Sequence, residues 1–156
     1  MTDEQKITFF KDEYLLLQKF YEDFDNRLMT IKGWSATIGL AAIGAGFYQT
    51  EYLWLFAAGA ALVFWTLEAV WKSFQYFYAP RLQALEKAFA DNNFTGLVPF
   101  QIYSSWFEAF RPKGFQIIQR FFQGIVMFPH AIITLVGLLL FVLETSGIMH
   151  LPRRAP

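Results

Sequence analysis

The chain has 156 residues, of which 55% are hydrophobic, 20% aromatic and 17% charged, with a mean hydropathy of +0.30. A soluble domain carries about 25% charged residues, so the balance leans toward a membrane protein. Thirteen basic and thirteen acidic residues cancel, which removes the electrostatic case for nucleic acid. The lack of cysteine removes disulfides, thiolate chemistry and cysteine-based zinc sites.

The opening segment is polar, acidic and aromatic rather than basic and then apolar. It does not read as a cleavable signal peptide, so the first apolar span is expected to be a retained anchor. Residues 4–31 contain no Gly or Pro and place Phe10, Tyr14, Leu17, Tyr21, Phe24, Leu28 and Ile31 at alternating spacings of 4 and 3. This heptad seam predicts a cytoplasmic amphipathic helix with one face packed on another helix. That helix belongs either to the same chain or to a partner or second subunit, with Phe10, Tyr14, Leu17, Tyr21, Phe24 and Leu28 as the interface.

Residues 33–71 contain no Lys or Arg, and their only acids are Glu51 and Glu68. About 20 apolar residues cross the hydrocarbon core as a helix, so this window predicts two spans, 31–48 and 53–71. Lys32 and Trp34 mark one interface, and Tyr48 and Tyr52 mark the other. The short "QTEY" link makes the spans antiparallel neighbours. Of the thirteen Lys and Arg residues, eleven lie in 1–33 and 72–120 and none in the hairpin turn. The positive-inside rule then places the N-terminus in the cytoplasm.

Within the first span, "IGLAAIGAGF" (residues 38–47) invites comparison with phosphate-binding loops. Ala45 and Gly46 stand where a P-loop needs Lys and Ser or Thr, and Gly44-Ala45-Gly46 lacks the third glycine of a dinucleotide fingerprint. No nucleotide or other cofactor is expected. Ser35, Gly39, Ala42 and Gly46 instead form a stripe of small residues at spacings of 4, 3 and 4. Such stripes let helices approach closely in lipid. The second span carries "AAGAA" at 57–61, so Ala57, Ala58 and Ala61 are the expected counterpart within the hairpin. A contact between subunits through the same surface is the alternative.

Glu68 is the one acid well inside an apolar run, which makes it a functional candidate. Lys72, one turn later, is its expected i+4 partner. A place at a pore mouth or gate is the other possibility. Beyond Lys72 the pattern stays helical, with Phe74, Tyr78, Leu82, Leu85 and Phe89 on one face and a kink expected at Pro80. "DNNFTG" ends that helix. Asn93-Phe94-Thr95 matches a glycosylation acceptor but falls on the cytoplasmic side. Pro99 fits the first turn of a further helix over 99–110. Its Phe100, Tyr103, Trp106, Phe107 and Phe110 suit a helix lying in the headgroup region.

Residues 121–143 carry no charge, and 124–143 predicts a third span interrupted by Pro129, which would leave the C-terminus outside. A re-entrant turn at Pro129 would instead return the "LPRRAP" tail to the cytoplasm. His130, beside Pro129, is either a packed side chain or part of a gate. His150 is isolated, so no metal set is readable. No Ser, His and acid pattern suggests nucleophilic catalysis, and the chain is not expected to be an enzyme.

The stretches "DNRLMTIKGWSATIGLAAIGAGF" and "LEAVWKSFQYFYAPRLQALEKAF" resemble small bacterial membrane proteins of the SLATT type. The resemblance covers residues 4 to about 90 and is one of layout: cytoplasmic helix, two-helix hairpin, returning cytoplasmic helix. It implies a pore-forming or membrane-perturbing effector of conflict and phage-defence systems, and it carries no site residue. The third span departs from that layout. The sequence thus points to an all-α, self-associating inner-membrane protein that forms or gates a pore on a cytoplasmic signal. Its expected partners are the lipid bilayer, further copies of itself and a cytoplasmic protein. The alternative is a scaffold or accessory subunit that recruits that protein through its aromatic helices.

Overall fold

A computed structural model describes residues 2–111 and 117–149. All regular structure among them is helical: α1 (Asp3–Gly46), α2 (Tyr52–Tyr76), α3 (Ala79–Ala90), α4 (Ile102–Phe110), α5 (Ile117–Phe121), α6 (Gly124–Met127) and α7 (His130–Thr145). The predicted cytoplasmic helix and first span are one uninterrupted helix, because no proline separates them. Thr2 and Gln5 open α1 with reciprocal bonds, Gln5 N to Thr2 Oγ1 at 3.3 Å and Thr2 N to Gln5 Oε1 at 3.0 Å. This is a capping box, reinforced by Asp3 and Glu4 in the first turn. At the other end the Trp54 indole donates to Ile43 O at 2.9 Å, satisfying one of the carbonyls a helix end exposes.

The helices divide into two units, Met1–Arg27 with Trp71–Gln116, and Leu28–Val70 with Ile117–Pro156. In the first unit the heptad seam is filled by the chain itself. Phe10, Leu17 and Leu85 are buried together, with Tyr14, Tyr78, Leu82, Phe94, Leu97 and Ile102 around them. Phe10 stacks on Phe94 at 5.1 Å, and Phe24 lies against Trp71 and Tyr78 at 5.7 and 5.8 Å. Near Pro80, where a kink is expected, a two-residue turn at 77–78 interrupts the regular helix while Tyr78 keeps helical φ and ψ. α2 stops at Tyr76 and α3 restarts at Ala79 with the proline in its first turn, where the missing N–H costs nothing. α4 begins at Ile102 rather than Pro99, because Phe100 adopts a left-handed φ of 62° that no helix accommodates.

The aromatic face expected on 99–110 is divided. Trp106 and Phe110 turn inward onto Phe77, with Trp106 also against Phe74. Phe100, Tyr103 and Phe107 stay exposed.

In the second unit, two helical runs to which this unit contributes, Asp3–Gly46 and Tyr52–Ala90, are long and apolar enough to cross a membrane. The predicted span 124–143 is not one helix. It breaks after α6, where Phe128 is extended (ψ 132°) ahead of Pro129, as a residue before proline prefers. α7 then runs 16 residues, about 24 Å, less than the roughly 30 Å hydrocarbon core.

The small residues are used here as well. A Cβ on Gly39 would lie 2.5 Å from an Ile133 methyl, and one on Gly137 would lie 2.6 Å from Trp54 O and 3.2 Å from the Ala58 Cβ. Gly46 lies against the Trp54 ring. Ala42, Ala57, Ala58 and Ala61 are buried. The expected pairing of the glycine stripe with "AAGAA" is therefore modified: Gly39 meets α7, and Ala58 faces Gly137 of α7.

Candidate functional site

Lys32 and Ser35 are three residues apart on α1 and share a face. Glu68 comes from α2, and His130 is the first residue of α7. All four belong to the second unit, and they join in one hydrogen-bonded chain. Lys32 Nζ lies 2.7 Å from Glu68 Oε1. Glu68 Oε2 lies 2.9 Å from His130 Nε2, and His130 Nδ1 lies 2.7 Å from Ser35 Oγ.

The break before α7 explains why a lysine is needed. Ending α6 at Met127 and removing one N–H at Pro129 leaves carbonyls without helical partners. Lys32 Nζ donates to two of them, Ile125 O at 2.5 Å and Phe128 O at 2.6 Å. With Glu68, these use all three ammonium hydrogens.

A carboxylate opposite Lys32 can only accept, so His130 Nε2 donates to it. In the neutral ring Nδ1 then accepts from the Ser35 hydroxyl. The pair Lys32–Glu68 cancels in charge, which is the condition under which an interior tolerates ions. Ser35 and Glu68 are 1% exposed and His130 0%. Around them Trp65 stacks on Phe121 at 4.1 Å and donates to Phe121 O at 2.8 Å, with Ala69 and Val126 buried alongside.

Several sequence expectations change here. Glu68 does not pair with Lys72, which bonds Asp25 at 3.1 Å in the first unit. An exposed i+4 pair is worth a few tenths of a kcal/mol, whereas an enclosed carboxylate requires enclosed partners. Ser35 is more than a small packing residue, because its hydroxyl bonds His130. Lys32, expected only to mark an interface, is the cation of the cluster. Glu68 and the Pro129–His130 kink, read as gate candidates in different parts of the sequence, meet through the His130–Glu68 bond. His150 lies outside the described residues.

Ser35, His130 and Glu68 form a Ser–His–acid sequence of contacts that the chain order does not announce. Acyl transfer also needs a cleft and oxyanion donors beside the nucleophile, and the Ser35 hydroxyl is enclosed. Among the described residues no group of three or more His, Cys, Asp or Glu side chains could hold a metal.

The first unit buries a second ion pair. Glu13 receives Arg81 in a bidentate pair at 2.8 and 3.0 Å and accepts Phe100 N at 2.8 Å. Arg81 also donates to Val98 O at 2.7 Å. Nearby, Gln75 donates to Tyr21 O and Asp25 Oδ1, both at 2.9 Å. Burial, then the Glu86 carboxylate, raises the Tyr14 hydroxyl above its ordinary pKa, and burial raises that of Tyr78. Neither phenol is a proton donor near neutrality.

The partner-interface residues Phe10, Tyr14, Leu17, Tyr21, Phe24 and Leu28 are thus placed on an occupied seam. Phe10, Leu17 and Leu28 are buried, and Tyr14, Tyr21 and Phe24 are half-buried. No family model matches the chain, and no curated protein or solved structure shows significant similarity to it.

Proposed function

We propose that the chain is an integral membrane protein that gates a conduction path, with the Lys32–Glu68–His130–Ser35 cluster as the closed lock. The membrane placement is supported by how little of the apolar surface the chain covers. Only 28% of the apolar window in Asp3–Gly46 and 39% of that in Tyr52–Ala90 is buried. A core helix of a soluble protein would be mostly covered. Leu40, Phe56, Val63, Leu135, Leu139 and Val142 stand exposed, as side chains facing lipid do.

The cluster is the observation that carries the functional reading. Ionisable residues within membrane segments mark ion or proton paths by default, and these sit where an apolar segment is broken. With Ser35, Glu68 and His130 buried where the helical segments of the second unit pack, the cluster holds one copy closed, so conduction requires more than one copy and a rearrangement at the break. The resemblance to SLATT-type proteins supports the same effector role in a bacterial inner membrane, N-terminus inside.

Reconstituted protein should release ions or dye from liposomes slowly as wild type and several-fold faster as Glu68→Gln, which removes the charge that holds Lys32. If neither form releases ions or dye in any oligomeric state, the gating reading is wrong.

A scaffold reading is favoured by one observation, the outward row Phe100, Tyr103 and Phe107 on the first unit. Under it a cytoplasmic protein co-purifies with the chain and is released by Phe107→Ser. A chain that remains alone in mild detergent excludes it.

A further inference from the structure

The ammonium of Lys32 sits in a cage of three oxygen acceptors. Two walls are main-chain carbonyls, Ile125 O and Phe128 O, released by the break ahead of α7, and the third is Glu68 Oε1. His130 holds the second carboxylate oxygen, a contact that does not involve Lys32. Carbonyls at the ends of broken helices, joined by a carboxylate, coordinate small cations in membrane proteins. One carboxylate and two carbonyls carry a single negative charge, so a monovalent ion leaves the cage neutral, while a divalent ion would leave an uncompensated charge in a low-dielectric interior. The Lys32 side chain is 15% exposed, against 2% for Glu68 and 0% for His130, so it is the least enclosed of the three.

We propose that the Lys32 ammonium is a tethered occupant of a monovalent-cation site formed by Ile125 O, Phe128 O and the Glu68 carboxylate. When the side chain withdraws, a free potassium, sodium or ammonium ion binds in its place. The tether makes the closed form independent of salt, and its withdrawal makes the open form cation-loaded. The gating role of this exchange rests on the function proposed above, but the ion site itself is read in detergent without any flux. A chain that binds cations yet never leaks keeps the site and loses the gate, and a chain that leaks without binding does the reverse.

The test is thermal unfolding of the full-length Lys32→Met variant in dodecyl maltoside, in potassium, sodium or choline chloride at equal ionic strength. The site predicts that potassium or sodium raises the melting midpoint saturably and that choline, too large for the cage, does not. Wild type should be indifferent to the choice of cation. In Lys32→Met/Glu68→Gln the apparent affinity should fall by about tenfold or more, because a charge-assisted contact is lost. A single variant that melts identically in all three salts overturns the proposal, as does a double variant that responds as strongly as the single. If Lys32→Met does not fold, Lys32→Ala solubilised in propylammonium provides the second arm. Recovery of monodisperse protein by propylammonium but not by tetramethylammonium supports the cage, and recovery by neither overturns it.

Discussion

Among the described residues each unit buries one carboxylate, and the two solve the problem with different chemistry. Glu13 faces a guanidinium, which is planar, permanently charged and bound through two parallel bonds. The pair also bonds backbone groups at Val98 and Phe100, so it staples the segment between α3 and α4. Glu68 faces an ammonium, a compact point charge on a flexible stem, and an imidazole that passes the network on to a hydroxyl. A guanidinium fork has one good geometry here. An ammonium in a ring of oxygens can be replaced by anything small and singly positive. The lesson is that burial alone does not distinguish a structural ion pair from a switchable one; the shape and exchangeability of the cation do.

The largest effect should come from the staple. Arg81→Met leaves Glu13 buried without its cation and should cost about 3–5 kcal/mol of stability, read as a lowered unfolding midpoint. Arg81→Lys should restore only part of it, since a point charge cannot reach both carboxylate oxygens and Val98 O. Full recovery by lysine would erase the distinction between the two units.

Helix packing comes next. Gly137→Ala pushes a methyl to 2.6 Å from the Trp54 carbonyl oxygen. Backbone does not move aside, so overpacking should cost about 1–3 kcal/mol, measured by thermal unfolding in detergent. A neutral result would mean that α7 does not sit against α2 as described. Ser35→Ala removes one hydroxyl bond from the far end of the cluster and should cost about 1 kcal/mol by the same measurement. If it costs as much as Arg81→Met, the cluster is a rigid staple like the one in the first unit.

How much of this could be read in advance depends on the range of the signal. The seam from Phe10 to Leu28 and the two apolar windows are periodic, and their helices follow. Which helix fills the seam is not local information, and the chain fills it with its own aromatic residues. Glu68 and His130 stand out as polar residues in apolar runs, but their contact spans 62 residues and requires the break at Pro129. Lys32 was legible and easily passed over. A lysine at the end of an apolar run ordinarily marks an interface. Yet it falls four residues after Leu28 and three before Ser35, on the continuation of the buried face. The Glu13–Arg81 pair has no sequence signal, since charges of both signs are scattered along both helices.

The smallest effect belongs to a glycine whose neighbours in sequence are constrained. Within "IGLAAIGAGF", Gly39 touches Ile133 and Gly46 touches Trp54, but a Cβ on Gly44 would meet nothing within 4 Å. A glycine in a helix interior is about 1 kcal/mol less favourable than alanine, and nothing at Gly44 opposes the substitution. Gly44→Ala should therefore leave the midpoint unchanged or raise it slightly, while Gly46→Ala, driven into the indole, lowers it. The two positions differ by two residues and so lie on opposite sides of α1. If both substitutions destabilise equally, a second surface presses on Gly44. That surface would lie beyond the described residues, among which the position is open.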